Sequence, residues 1–261
     1  MTKVIAITNQ KGGVGKTTTS VSLSAALASL GRRILLIDLD PQGNATMGSG
    51  IDKNSLTDSV CELLLNRAPY SAVIKKCPKA GYDLLPSNGA LTEAEVGLVG
   101  KTKSETRLKL ALAPEKSAYD YIIIDCAPSL NMLTINALAA ADTVLIPMQC
   151  EYYALEGLSA LITTINGICK TLNPQLRIEG LIRTMYDGRN SLTKDVSAQL
   201  SQHFGDKVYN TVIPRNIRLA EAPSYGLPAI IYDKRSKGAT AYLALAGELL
   251  RKSISGNSDI M

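Results

Sequence analysis

The chain has 261 residues, 46% of them apolar, and a formal net charge of +5. That length and composition suit one large folded α/β unit or two small ones, and they exclude a disordered or fibrous chain. The charge is only mildly basic, which permits an anionic partner such as DNA or acidic lipid without requiring one.

The β-branched run Val4-Ile5-Ala6-Ile7 predicts a first strand over residues 4–8. A glycine-rich loop follows, Lys11-Gly12-Gly13-Val14-Gly15-Lys16-Thr17-Thr18, and then a small-residue helix over residues 17–30 that ends at Gly31. Strand, glycine loop and helix form a phosphate cradle. Glycines let backbone N–H groups turn inward on an anion, and the helix aims its positive end at the same point. Lys16 is placed to reach β/γ-phosphates and the Thr17 hydroxyl to ligate Mg²⁺. The general pattern G-x-x-x-x-G-K-[ST] is not met, because Gln10 stands where the first glycine belongs and Lys11 adds a second lysine.

Arg32-Arg33 lead into an apolar run, residues 34–37, that reads as a parallel strand covered on both faces. It ends in Asp38-Leu39-Asp40-Pro41-Gln42-Gly43-Asn44. Ligands of open parallel sheets bind beyond the carboxyl ends of the strands, and a period of two puts both aspartates on one side. Residues 47–116 are less legible. Short helices are expected over 59–66, 92–101 and 105–112, and a strand over 82–86. Lys101, Lys103, Arg107 and Lys109 read as a solvated face.

Tyr121-Ile122-Ile123-Ile124-Asp125 is an apolar strand ending in a carboxylate, suited to holding Mg²⁺ through its water shell. Beyond it come a helix over 131–141, a buried strand over 143–147, a helix over 155–170 and a strand over 177–182. A helix over 192–204, a strand over 208–213 and a short helical piece over 217–222 follow. Residues 229–232 read as a short strand or extended stretch, and residues 233–238 as a charged turn. A last helix covers 240–251, and a polar tail begins near 253. Strands alternate with helices throughout, which predicts a single α/β domain with a mainly parallel sheet and helices on both faces.

Five cysteines, an odd number with no C-x-x-C pair, argue against a disulfide framework or structural zinc. The one histidine, His203, sits in a polar helix end, which leaves no Ser-His-Asp hydrolase to assemble. The N-terminus has no basic-then-apolar leader. No apolar run approaches the roughly 20 residues of a membrane span. Both observations predict a cytoplasmic protein.

Taken together the motifs resemble the ParA/MinD ATPases. The glycine loop is similar to their deviant Walker A motif, residues 38–44 to the A′ motif of the ParA (Soj) branch, and residues 122–129 to the Walker B stretch. Thr184-Met185-Tyr186-Asp187 and residues 213–224 resemble later stretches of the same branch. The resemblance implies a P-loop ATPase that uses ATP and Mg²⁺, dimerises on ATP, and segregates chromosome or plasmid. It implies that Lys11 reaches across the dimer to the partner's phosphates, while Lys16 serves its own. Gly12, Gly13, Val14 and Gly15 would wrap the nucleotide, and Thr18 would meet the α-phosphate side. Asp40 would position the attacking water near the metal, Asp125 would support the Mg²⁺ shell, and Met185, Pro214 and Asn216 would meet the adenine. It further implies non-specific binding of double-stranded DNA through Arg189 and Arg218, with Lys234 and Arg235 as weaker candidates. A ParB-type partner would stimulate slow hydrolysis, and the protein would sit on the nucleoid.

Rival readings from other classes are a MinD-like membrane-surface ATPase and a metabolic enzyme on the same fold, such as an ATP-dependent amide ligase. The first needs a bulky amphipathic C-terminal helix. The end here, residues 249–257, has few large apolar residues and a glycine.

Overall fold

A computed structural model describes residues 2–255. In chain order its elements are β1 (Lys3–Ile7), α1 (Lys16–Ser29), β2 (Ile34–Leu39), α2 (Asn44–Gly48), α3 (Val60–Leu64) and α4 (Tyr70–Val73). Next come β3 (Lys75–Cys77), β4 (Tyr82–Leu85), α5 (Leu91–Gly97), α6 (Arg107–Leu112), β5 (Tyr121–Cys126), α7 (Met132–Ala140), β6 (Thr143–Gln149) and α8 (Ala154–Thr171). The chain closes with β7 (Arg177–Tyr186), α9 (Ser191–Phe204), β8 (Val208–Pro214), α10 (Ile217–Glu221), α11 (Ala229–Tyr232) and α12 (Lys237–Ser255).

The strands form one eight-stranded sheet in the order β3-β4-β2-β5-β1-β6-β7-β8, parallel except for the β3–β4 pair. Alternation along each strand divides the core into two layers. Val4 and Ala6 face α7 and α8, whereas Ile5 and Ile7 face α1 and α12. Leu35 and Ile37 belong to the first layer, and Ile34 and Leu36 to the second. Both faces are covered, which is why these strands read as continuous apolar runs.

Register fixes the chemistry. Ile7 of β1 pairs with Asp125 of β5, and Asp125 pairs with Asp38 of β2. Three strand ends therefore stop level with one another, directly below the glycine loop.

At the outer edge, α12 supports β8. Its buried Glu248 accepts from the Asn210 and Thr211 N–H groups (2.7 and 2.9 Å) and from the Thr211 hydroxyl (2.7 Å). At the opposite edge β3 is three residues long and carries Lys75 and Lys76.

Several expectations need correcting. Residues 229–232 are the helix α11, not a strand. Pro228 presets the turn, and Ala229 and Ile230 pack into the α1/α12 layer; a single turn is too short to show helical periodicity. The charged turn ends at Ser236, and α12 starts at Lys237 and includes Gly238. A Cβ there would lie 2.5 Å from the Leu219 side chain, so this glycine permits close packing rather than a turn. The helix expected over 92–101 stops at Gly97. Strand β3 and helices α2 and α4 have no counterpart in the sequence reading, each being five residues or shorter. The predicted polar tail begins inside α12, and residues 256–261 lie outside the described residues. All five cysteines are free thiols, as their spacing implies.

Where β7 passes β6, Glu179 is an extra residue in the ladder, and its carboxylate pairs with Lys3 at 2.7 Å. The next residue, Gly180, lies against its neighbours: a Cβ would sit 2.6 Å from both the Lys207 carbonyl and the Tyr209 ring. Gly180→Ala is therefore expected to cost about 1–3 kcal/mol, read as a lowered midpoint in urea unfolding with an unchanged slope.

Candidate nucleotide site and neighbouring surface

The glycine loop turns on Gly13 (φ 74°) and Gly15 (φ 87°), both left-handed. A Cβ on Gly12 or Gly13 would project into open space, so the loop is a cradle lined by main chain. Gly15 is the N-cap of α1 and brings no side-chain cap, so the first N–H groups of α1 have no side chain of Gly15 to bond them. Gly12, Gly13, Gly15, Lys16, Thr17 and Thr18 line a cleft of about 660 Å³, together with Asp40, Asn131 and Met185. Val14 does not line it: its side chain is buried, and its carbonyl accepts from Thr184 Oγ1 at 2.8 Å.

The two lysines diverge. Lys16 is buried, and its Nζ donates to the Lys11 carbonyl at 3.0 Å. Burial lowers its pKa, and the carboxylates of Asp125 and Asp40 oppose that shift. Lys11 points out of its own cleft and pairs with Glu151.

The carboxylates also diverge. Because β2 continues to Leu39, Asp38 stays beneath the sheet end, fully buried. Its Oδ2 accepts from the Thr46 N–H and hydroxyl, both at 2.7 Å. Of the expected pair, only Asp40 reaches the cleft. It is half-buried and held by the Gln42 N–H donating to its Oδ1 (2.9 Å) and by Ser87 Oγ donating to its carbonyl (2.8 Å). Asp125 is fully buried. Its Oδ1 accepts from Ser20 Oγ at 2.7 Å, and its Oδ2 has no partner. Burial pushes both Asp38 and Asp125 above the usual carboxylate range; the charge of Asp40 adds to the rise at both, and that of Asp38 to the rise at Asp125.

A narrower slot of about 150 Å³ adjoins the cleft and shares Gly15, Thr18 and Met185 with it. Pro214 and Asn216, which the resemblance implies for the adenine, line it, and so do Thr184, Ile213, Leu219 and Tyr242. Asn216 Oδ1 is buried there without a partner. Met185 adopts a left-handed backbone (φ 48°), uncommon for a side chain of this size. The Gln149 amide holds it, donating to Met185 Sδ at 2.6 Å and to the Gly13 carbonyl at 3.2 Å. Gln149 and Ser20 carry no signal in the sequence, since only the fold brings them to the loop.

These features fit Mg²⁺ and a nucleotide. An unpartnered buried carboxylate oxygen lies under the Thr17 turn, the Cβ-free cradle is open, and an unpartnered amide oxygen waits in the slot.

A family profile described as an AAA domain matches residues 2–178. The chain is 55% identical over 249 residues to the sporulation initiation inhibitor protein Soj of Bacillus subtilis, covering 95% of this chain and 98% of that one. It is 50% identical over 250 residues to the chromosome partitioning protein ParA of Myxococcus xanthus, covering 96% and 88%. The chain belongs to the ParA/Soj family of partitioning ATPases. Among solved structures, the cobyrinic acid a,c-diamide synthase of Mycobacterium smegmatis with ADP and magnesium superposes with a TM-score of 0.86. It is 41% identical, over 98% of this chain and 97% of that one.

The basic residues named on the ParA/Soj resemblance lie at the same sheet edge as the cleft. Arg189 follows β7 and is exposed, with a bidentate pair to Asp187 (2.8 and 2.9 Å) that holds that carboxyl down at about 2. Arg218, on α10 after β8, pairs with Glu221 (2.8 Å) and Asp233 (3.4 Å). The second contact draws it to the turn bearing the exposed Lys234 and Arg235. Both arginines thus carry their own carboxylates, which the sequence reading did not anticipate.

Because Asp125 is protonated more readily folded than unfolded, the nucleotide-free chain loses stability as pH rises above the ordinary carboxylate range. Asp125→Asn removes that ionisation. The variant should melt a few degrees above the parent at alkaline pH and level with it in acid, in thermal scans without nucleotide or Mg²⁺.

Proposed function

We propose that this chain is a Mg²⁺-dependent ATPase that forms a sandwich dimer on ATP and as that dimer binds double-stranded DNA without sequence preference. A ParB-type partner stimulates hydrolysis and releases it, partitioning chromosome or plasmid across the nucleoid in the cytoplasm. The observation that carries this reading is the divergence of the two loop lysines: Lys16 enters its own cleft, and Lys11 leaves it.

In this reading Lys16 neutralises the β/γ-phosphates, Gly12, Gly13 and Gly15 present N–H groups to them, and Thr18 meets the α-phosphate side. Thr17 and the unpartnered oxygen of Asp125 would hold a hydrated Mg²⁺, with Asp40 alongside. When bound, the metal supplies charge neutralisation at the phosphates. Asp40, the one carboxylate of the Asp38/Asp40 pair that faces the cleft, orients the attacking water. Asn216 offers an acceptor to a base amino group, with Pro214 and Met185 packing beside the ring. Lys11 then reaches a neighbour's phosphates, where a cation aimed at developing charge lowers the barrier. Because the cation comes from the second subunit, turnover waits on dimerisation.

Arg189, Arg218, Lys234 and Arg235 contact DNA phosphates, which carry no sequence information. For the two arginines this means exchanging a carboxylate for a phosphate.

A membrane role fits less well. Tyr242, Leu245, Ala246 and Leu249 of α12 are already buried against α1 and the sheet. Among the described residues no helix is long and apolar enough to cross a membrane. An amide-ligase role has in its favour the likeness to the Mycobacterium cobyrinic acid a,c-diamide synthase. It predicts ATP turnover that requires a carboxylic acid and an ammonia donor.

The deciding experiment is a DNA-binding titration with ATP, with ADP and without nucleotide. Tight binding should appear with ATP alone and weaken steeply as salt rises. Arg189→Glu should keep nucleotide affinity and lose that binding; equal DNA affinity would misplace the surface. Asp40→Ala should bind ATP and DNA yet release no phosphate above background, and normal turnover by that variant would remove the water-orienting role. ATP-dependent pelleting with liposomes, or turnover only with an acid and ammonium, would overturn the partitioning reading.

A further inference from the structure

The glycine loop is gripped along one side by the end of β6, the junction after it and one face of α8. Asn9 Nδ2 donates to the Pro147 carbonyl (2.8 Å), Gln10 Nε2 to Thr164 Oγ1 (3.4 Å), and Gln149 Nε2 to the Gly13 carbonyl (3.2 Å). The fourth contact is ionic: Lys11 Nζ lies 2.5 Å from Glu151 Oε2. Glu151 sits in the junction between the two elements, fixed by its N–H to the Gln149 carbonyl and by its own carbonyl, which accepts from the Ala154 N–H (both 3.0 Å).

The geometry at Lys11 separates main chain from side chain. Its carbonyl takes the ammonium of Lys16, so the main chain faces the phosphate cleft. Its side chain runs the other way and is about half exposed, as is that of Glu151. Lys11 is a flexible side chain one residue from the Cβ-free Gly12. Its ammonium ends at the Glu151 carboxylate.

We propose that Glu151 is a positioning residue for Lys11, a latch that holds the ammonium outside the chain's own cleft until a second copy presents a nucleotide triphosphate. The proposal rests on the reading that Lys11 serves a neighbour's phosphates. The exchange is a competition between anions. A carboxylate offers one negative charge, whereas a triphosphate offers several with more acceptor oxygens, so the ammonium moves when the second copy arrives. A half-exposed pair is weak enough to open and strong enough to bias where the side chain waits. Tyr152 and Tyr153 follow Glu151 directly, are largely exposed and pack edge to face at 5.0 Å. An approaching copy that covers them also covers the latch.

Glu151→Gln tests this, since it keeps size and hydrogen bonding but removes the charge. In the nucleotide-free chain, acetic anhydride labelling read by mass spectrometry should modify Lys11 several times faster in the variant. Sedimentation with a non-hydrolysable ATP analogue should show dimerisation tightened about fivefold, because two latches open per dimer. The melting temperature should not change, so a folding defect cannot imitate the result. An unchanged labelling rate, or dimerisation equal to or weaker than that of the parent, overturns the latch. Lys11→Gln measured separately tests the reading beneath it: if that variant dimerises and turns over like the parent, Lys11 does not serve a neighbour and the proposal falls with that reading. If Lys11→Gln fails to turn over while Glu151→Gln behaves as the parent, the reading stands and the latch alone is wrong.

Discussion

Two carboxylates held side by side out of water are the constraint on which the site depends. Parallel register places Asp38 and Asp125 opposite each other at the ends of adjacent strands, and both are fully buried. A buried carboxylate is tolerated only with donors or a countercharge. Asp38 obtains its donors from Thr46, which is why α2 must begin immediately after the turn at Gly43. Asp125 is only half supplied, by Ser20 from the second turn of α1. Lys16 is the nearby cation, and its own burial makes it a reluctant one. The empty side of this electrostatic arrangement is the side on which the glycine loop opens.

The same sheet edge gives the cleft its shape. Strand β1 is central, with β5 on one side and β6 on the other, so the loop that leaves it is reached from both directions. From the β5 side come the carboxylates. From the β6 side come Gln149 and the segment that clamps Asn9 to Gly13. The further strands β7 and β8 deliver Met185, Pro214 and Asn216 to the slot beyond the first turn of α1. Met185 reaches that slot on a left-handed backbone, with the Gln149 amide lying against its sulfur.

Legibility in the sequence followed length and locality. Strands of five or more apolar residues and helices of nine or more could be read directly, because both periods complete within the element. The one-turn helices α2, α4 and α11 and the three-residue β3 could not, since none is long enough to repeat its period; α3 and α10, just as short, were expected at 59–66 and 217–222 all the same. In the site, residues whose placement is set by a local pattern were legible: the loop glycines, Lys16, Thr17, Asp40 and Asp125. Residues recruited across the sheet were not. Ser20, Gln149, Thr184 and Tyr242 are ordinary in their own segments and acquire meaning only where distant strands converge. Asp38 shows the limit of extrapolating a strand's alternation to judge access. Its carboxylate is on the expected face, but β2 runs on to Leu39 and keeps it under cover.

Both rims of the sheet are closed to further strands. On β8, the Glu248 carboxylate occupies the Asn210 and Thr211 N–H groups that an incoming strand would need. On the other rim, β3 is short and carries two lysines. Strand-by-strand polymerisation is thereby blocked at both ends. The carboxyl edge of the sheet presents loops instead, and contacts between loops, unlike a strand ladder, have no repeat along which assembly could continue.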